Sequence, residues 1–223
     1  MFKKISNEIT FKLWDHQSEA LNFAIDHLNA QDSPCLIRMP TGTGKTGIVA
    51  CLTMLSNEGS SLVLTPWALL RNQMVSDLKE GFWNKVDLSL PNPMVTSMVP
   101  SVARQLLKSS EQQVMVATLT ALNRLRRDHV DTYESLAEAV DLVIVDEGHY
   151  EPAVEWGKSV KGLNTRTLLL TATPYRNDLK LFRITDPEQS AHHFTHRDAI
   201  RSRIIRETSF ESLESSPDIP NHP

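Results

Sequence analysis

Two short stretches of this 223-residue chain carry residue types suited to chemistry on phosphate groups. The first is Arg38-Met39-Pro40-Thr41-Gly42-Thr43-Gly44-Lys45-Thr46. Glycines let a backbone curl until several N–H groups face one concavity, which suits phosphate oxygens. An apolar strand expected over Cys35–Met39 enters this turn. An amphipathic helix is expected to leave it, its positive N-terminal end adding to the same field. Thr41, Gly42, Thr43 and Gly44 would form the cradle, Lys45 would reach the β- and γ-phosphates of a nucleoside triphosphate, and the Thr46 hydroxyl would ligate Mg²⁺. The general pattern places another glycine six residues before Lys45, and this chain has Met39 there. The second stretch is Val145-Asp146-Glu147-Gly148-His149. Adjacent carboxylates at a strand end diverge, so Asp146 could hold a metal while Glu147 positions and deprotonates an attacking water. An isolated Asp-Glu pair would merely end a strand; the cradle upstream gives it a chemical reading.

Both stretches need a scaffold, and the hydrophobic pattern supplies one. A helix capped by Asp15 is expected to about Asn29, with Ala20, Leu21, Ala24, Ile25 and Leu28 on one face. Ile48, Val49, Cys51, Leu52 and Leu55 mark the helix after the cradle. Ser61–Thr65 reads as a strand, with Pro66 at the first helical position of the next element. Residues 81–93 read as a loop and Met94–Val99 as a strand, followed by a short helix capped by Ser101. Gln113–Ala117 reads as a strand, and Thr118 as the cap of another helix. Asp131 and Glu134 open a further helix, Asp141–Asp146 is a continuous apolar strand, 151–161 a weak helix, and Arg166–Thr171 one more strand. Strands that alternate with helices and read as unbroken apolar runs predict an α/β fold of three layers, a mainly parallel sheet with helices on both faces. Ligands of such sheets bind at the C-terminal strand ends. Thr41–Thr46, Thr65, Thr118, Asp146, Glu147 and Thr171–Thr173 all fall at or just after strand ends, and so are predicted to share one rim.

Composition narrows the classes. The formal charge is −4, so there is no global basic field, and a nucleic-acid partner would need a local basic face. The only two cysteines, Cys35 and Cys51, lie in apolar periodic stretches and read as buried thiols of a reducing compartment, with no zinc-ligand spacing. No apolar run follows Lys3 and Lys4, and none approaches the ~18 residues that span a bilayer. A cytoplasmic protein without a membrane partner is expected.

The order Gln17, Pro-Thr-Gly-Thr-Gly-Lys-Thr (40–46), Leu-Thr-Pro (64–66), Asp-Glu-Gly-His (146–149) and Thr-Ala-Thr-Pro (171–174) resembles the first RecA-like lobe of superfamily-two helicases. It is most similar to the DEAD/DEAH-related branch that includes type III restriction enzyme motor subunits. The resemblance covers roughly residues 11–177, and in this superfamily the first glycine of the cradle is not required. It implies ATP and Mg²⁺ as ligands and a nucleic-acid partner, DNA favoured over RNA. It further implies that Gln17 reads the adenine edge, that Trp14 packs on the base, and that Thr65, Pro66 and Thr118 contact the nucleic-acid backbone. An arginine commonly follows the proline; here Trp67 and Ala68 follow, and Arg71 is the candidate substitute. His149, Thr171 and Thr173 resemble the elements that couple the nucleotide site to the nucleic-acid surface.

The expected organisation is a RecA-like ATP-binding lobe over 1–177, a connector with a basic amphipathic helix over 178–207, and a disordered tail over 208–223. That helix is expected to start at Thr195 or Asp198 and run through Arg206. A motor of this kind has a second RecA-like lobe that supplies arginines to the γ-phosphate, from elsewhere in the chain or from another subunit. Without them the lobe is expected to hydrolyse ATP slowly, by a factor of ~10³–10⁵. The function expected is the ATP-binding lobe of a helicase or translocase. The alternative is a nucleotide-dependent nucleic-acid-binding or regulatory module that does not hydrolyse efficiently.

Overall fold

The structure, a computed structural model, describes residues 12–56, 59–86, 94–109, 111–146, 153–172 and 187–207. In chain order the elements are α1 (Asp15–Ala30), β1 (Cys35–Arg38), α2 (Lys45–Leu55), β2 (Ser60–Thr65) and α3 (Ala68–Ser76). A π-helical turn (Asp77–Gly81) joins α3 to α4 (Phe82–Val86), followed by β3 (Met94–Ser97), α5 (Pro100–Leu106), β4 (Gln113–Thr118), α6 (Leu119–Asp128), α7 (Val130–Ala139) and β5 (Val140–Asp146). Then come α8 (Ala153–Lys161), β6 (Arg166–Thr171), α9 (Pro187–Ser190), β7 (Ala191–His193) and α10 (His196–Arg201). The strands form one seven-stranded sheet in the order β3-β4-β2-β5-β6-β1-β7, and every pairing is parallel.

The unbroken apolar strands divide between two cores because alternate residues face opposite sides. Cys35, Ile37, Val63, Val116, Ile144, Leu168 and Leu170 pack with Ala20, Leu21 and Ala24 of α1 and with α2. Leu36, Leu62, Leu64, Met115, Val143, Val145 and Leu169 pack on the other side with Leu122 and Leu125 of α6, Leu136 of α7 and Val160 of α8. The α/β architecture expected from the sequence is therefore the observed one, a parallel sheet between two helical layers.

Several boundaries differ from expectation. Trp14, not Asp15, is the N-cap of α1, and Asp15 is the first-turn acid that favours the helix dipole. Helix α2 is not amphipathic: Gly47–Thr53 and Leu55 are all buried, because the sheet, α1 and the segment around Leu78 and Trp83 enclose it. Pro66 precedes α3 by two residues and is itself buried. The first part of the stretch read as a loop over 81–93 is helical instead. The buried indole of Trp83 donates to the Leu78 carbonyl at 3.2 Å and pulls the chain through the π turn, in spite of Gly81. Val99 and His129, rather than Ser101 and Asp131, cap α5 and α7, and Pro100 takes the first position of α5, where its missing N–H costs nothing.

The last helix begins as expected, with Thr195 and Asp198 in a reciprocal capping box, but it stops at Arg201 instead of Arg206. Arg203 adopts φ +57°, the Ile204 N–H donates to the Ala199 carbonyl and the Arg203 N–H to the Ile200 carbonyl. This is a Schellman stop with arginine in the position usually held by glycine, and it turns Ile204 and Ile205 back onto the first core. Strand β7 was not anticipated: three residues, two of them histidines, give no apolar run. It extends the sheet because its backbone pairs with β1, Leu36 with Ala191 and Arg38 with His193.

Two measurements check this packing. Phe194 is buried in the first core and its N–H donates to the Arg38 carbonyl at 2.9 Å. Phe194→Ala is expected to cost about 3 kcal/mol, read as a lower urea midpoint at unchanged slope. Burial pushes the thiols of Cys35 and Cys51 up to about 12 from 9.0. Neither should react with iodoacetamide at pH 8 in the folded chain, and both should react once it is unfolded.

Candidate functional site

The cradle is shaped from behind by α1. Met39 continues β1 by one residue, its N–H donating to the Thr171 carbonyl at 3.0 Å, and its side chain is fully buried in the first core. A glycine is not needed there, since the side chain points into the core and away from the turn. The turn itself is tied by the Thr43 hydroxyl, which donates to the Pro40 carbonyl at 2.6 Å. Gly42 and Gly44 take φ of +84° and +80°, values that L side chains rarely adopt. A Cβ on Gly44 would also run into the Gln17 amide, whereas one on Gly42 would meet nothing within 4 Å.

Two neighbouring side chains of α1 then orient the peptides. His16 Nε2 lies 2.9 Å from the Thr43 carbonyl, which can only accept, so Nε2 carries the proton. Gln17 Nε2 donates to the Gly44 carbonyl at 2.9 Å, while its Oε1 accepts from the Trp14 N–H at 3.0 Å. A trans peptide points its N–H opposite to its C=O. Holding those two carbonyls toward α1 turns the N–H groups of Gly44 and Lys45 away from it. Lys45 Nζ lies 3.4 Å from the Met39 carbonyl, spanning the loop. His16 is stacked on Phe194, with ring centroids 4.4 Å apart, so β7 backs this grip. Neither His16 nor Phe194 was singled out by the sequence; only a fold that docks β7 beside β1 brings them together. Burial pushes His192 and His193 of β7 below the ordinary histidine range, which favours their neutral forms.

Beside the cradle lies a cavity of about 410 Å³. Trp14, Gln17, Gly44, Thr46 and Gly47 form one side, and Asp77, Phe82 and Lys85 of the π turn and α4 form the other. Phe82 leans on Gly47, where a Cβ would come within 2.8 Å of its ring. Gln17 keeps one N–H and one lone pair beyond its two bonds to the protein. Trp14 is 53% exposed, so its ring is accessible from solvent. Phe82 and Lys85 were missed because the segment read as a loop.

Register fixes the rest of the rim. Arg38 pairs with Thr171, and Leu170 with Asp146, so β6 alone separates the cradle strand from β5. Two inter-strand spacings put Asp146 roughly 10 Å from the cradle strand, with buried Thr171 between them. Leu64 pairs with Val145 and Thr65 with Thr118, which sets the order Thr118, Thr65, Asp146, Thr171, cradle. Glu147, His149 and Thr173 lie outside the described residues. Among the described residues no cluster of three His, Cys, Asp or Glu could hold a metal by itself. Thr46 lines the cavity beside the cradle, and Asp146 ends β5, two strands from the cradle strand.

The far end of the rim differs in kind. Thr65 is fully buried, and its hydroxyl is within reach of the Trp67 and Ala117 carbonyls at 3.3 and 3.4 Å. Pro66 is buried too. The Thr118 hydroxyl accepts from the Ala121 N–H at 3.1 Å and caps α6. Arg71, braced on Asn72 Oδ1, lines a cavity of about 630 Å³ together with Ala68, Ser101, Thr118 and Arg124. Asp128 and His129 also line it, and the hydrogen-bonded Arg127 guanidinium holds the Asp128 carboxyl below its ordinary range.

Residues 10–176 match the family described as "Type III restriction enzyme, res subunit". "Putative helicase 22" of Sulfolobus islandicus filamentous virus (isolate Iceland/Hveragerdi) is 26% identical over 179 residues, which is 76% of this chain and 29% of that protein. Among solved structures, the Type ISP restriction-modification enzyme LlaGI in complex with a DNA substrate mimic superposes with a TM-score of 0.59 at 18% identity, over 86% of this chain and 20% of its own. The DUF1998 helicase MrfA bound to DNA and AMPPNP gives 0.59 at 16% identity, over 85% and 28%. The chain thus spans less than a third of the length of each of these relatives. The structural likenesses establish the RecA-like helicase fold, and the match over residues 10–176 makes this chain a member of the type III restriction enzyme res-subunit family.

Proposed function

We propose that the chain is the ATP-binding lobe of a nucleic-acid-dependent ATPase, a helicase or translocase working on DNA, and that efficient hydrolysis needs a second RecA-like lobe. The observation that carries this reading is the cradle: His16 and Gln17 hold the Thr43 and Gly44 carbonyls to one side, so that the next two amides and Lys45 serve the other. In this reading Thr41–Gly44 and Lys45 bind the triphosphate, and Trp14, Gln17 and Phe82 receive the base in the adjoining cavity. Thr46 and Asp146 hold Mg²⁺, which when bound supplies charge neutralisation at the phosphates. Glu147, directly after Asp146 in the chain, orients the attacking water and takes its proton. Thr171, with His149 and Thr173, couples this site to the nucleic-acid face. Arg71 and the N-terminal ends of α3 and α6 serve backbone phosphates from the second cavity, Thr118 setting the α6 end and the buried Thr65 and Pro66 shaping the turn before α3. The lobe covers 1–177, with β7 and α10 bracing it from the segment that follows. The DNA preference is supported by the DNA-bound relatives.

Nucleotide binding tests the cradle. Lys45→Ala and Gly44→Ala should each weaken the binding of a fluorescent ATP analogue by tenfold or more. Gly42→Ala should lower folding stability by the ~1–2 kcal/mol of a left-handed alanine and leave the affinity of the analogue close to wild type. Equal losses at Gly42 and Gly44 would remove the role given to Gln17. For hydrolysis, the chain alone should turn over very slowly, and DNA-stimulated turnover should appear when a second lobe is supplied and vanish in Glu147→Gln. Turnover indifferent to both DNA and Glu147 would instead favour a nucleotide-dependent binding module.

A further inference from the structure

The turn between β2 and α3 presents an unexpected surface. Thr65 and Pro66 are buried, while Trp67 is 50% exposed and Leu69 is 78% exposed. Single exposed apolar residues are ordinary, but here two lie within three positions at one strand end. The backbone under them is fixed: the Trp67 carbonyl is within reach of the Thr65 hydroxyl and accepts the Arg71 N–H at 3.0 Å. Trp67 therefore stands on a held backbone at the C-terminal rim. The residue after it, Ala68, and Arg71, one turn further on, both line the 630 Å³ cavity that also contains Thr118 and Arg124.

We infer that Trp67 is a stacking platform for an unpaired base of a single-stranded nucleic acid whose backbone runs through that cavity; this rests on the nucleic-acid reading proposed above. The charges match the backbone: among the described residues Arg71 and Arg124 are the cations that line the cavity, and the carboxylate there, Asp128, is engaged by Arg127 and Arg124. The indole matches the base. A planar aromatic face binds any base that has left its stack, whereas in a duplex the base faces are covered and only phosphates and groove edges are offered. An arginine at this turn would serve strand and duplex alike through phosphate, but a tryptophan discriminates between them.

The test measures the affinity of the full chain for a labelled single-stranded DNA oligomer and for a duplex of the same sequence, by fluorescence anisotropy over a salt series. Trp67→Ala is expected to weaken single-strand binding by about tenfold, within the range alanine substitution gives at stacking sites. Duplex affinity and the salt slope should stay as in wild type, and Trp67→Phe should recover most of the loss. Arg71→Ala should weaken both forms and reduce the salt slope by roughly one. Unchanged single-strand affinity in Trp67→Ala, with Arg71→Ala weakened, overturns the stacking role and leaves the nucleic-acid reading standing. Loss of self-association in Trp67→Ala, without a change in nucleic-acid affinity, also overturns it and makes this face an interface between copies. If wild type binds neither form at any salt concentration, the nucleic-acid reading itself fails and takes this inference with it.

Discussion

The grip of α1 on the cradle is the interaction on which the site depends. A glycine-rich turn has many conformations, and its amides gather on one side only if their carbonyls are held on the other. His16 and Gln17 do this from adjacent positions at the start of one helix, taking the Thr43 and Gly44 carbonyls in turn. Gln17 also closes the first turn of α1 through the Trp14 N–H. One amide thus sets where the helix begins and how the loop faces, and it blocks any side chain at Gly44. The stacking of His16 on Phe194 extends the support to the sheet edge, so the short strand β7 bears on the loop although it carries none of the loop's chemistry.

Parallel pairing supplies the second constraint. Because all strands run one way, their C-terminal ends form a single rim. Because β6 sits between β1 and β5, Thr171 stands between the cradle and Asp146. The buried Thr171 is in register with Arg38, immediately before the cradle, and its carbonyl takes the Met39 N–H. A displacement at the end of β6 would therefore be felt on the cradle side and on the Asp146 side together. At the other end of the rim β2 and β4 bring Thr65 and Thr118 level; Thr65 is buried there and Thr118 caps α6, while the Trp67 side chain is half exposed and Arg71 and Arg124 line the cavity.

Much of this was legible in the linear chain, for reasons that differ from residue to residue. The strands were read from unbroken apolar runs, and these follow directly from a sheet buried on both faces. Cys35, Cys51 and the apolar face of α1 are buried as their periodicity implies. The placement of Thr41–Thr46, Thr171 and Asp146 at strand ends followed from where those runs stop. Thr65 and Pro66, in contrast, were legible as a motif but not as buried residues, since a turn has no periodicity from which burial can be inferred. Helix α2 has the spacing of an amphipathic helix and yet is buried nearly all round, because the sequence does not reveal how many neighbours enclose an apolar element.

What the sequence by itself determined was the α/β class and where the main strands end, both of which depend on residues close in the chain. What only the tertiary structure decided was everything that depends on residues far apart. Gln17 meets Gly44 across 27 positions, and His16 meets Thr43 across the same separation. Phe194 reaches His16 only because β7 pairs with β1, and that pairing is made by backbone hydrogen bonds that three residues do not announce in their side chains. Phe82 reaches the cavity beside the cradle only because the buried Trp83 carries the helix past Gly81. Local pattern records the period of an element, whereas these contacts are set by which faces remain to be covered once the sheet has formed.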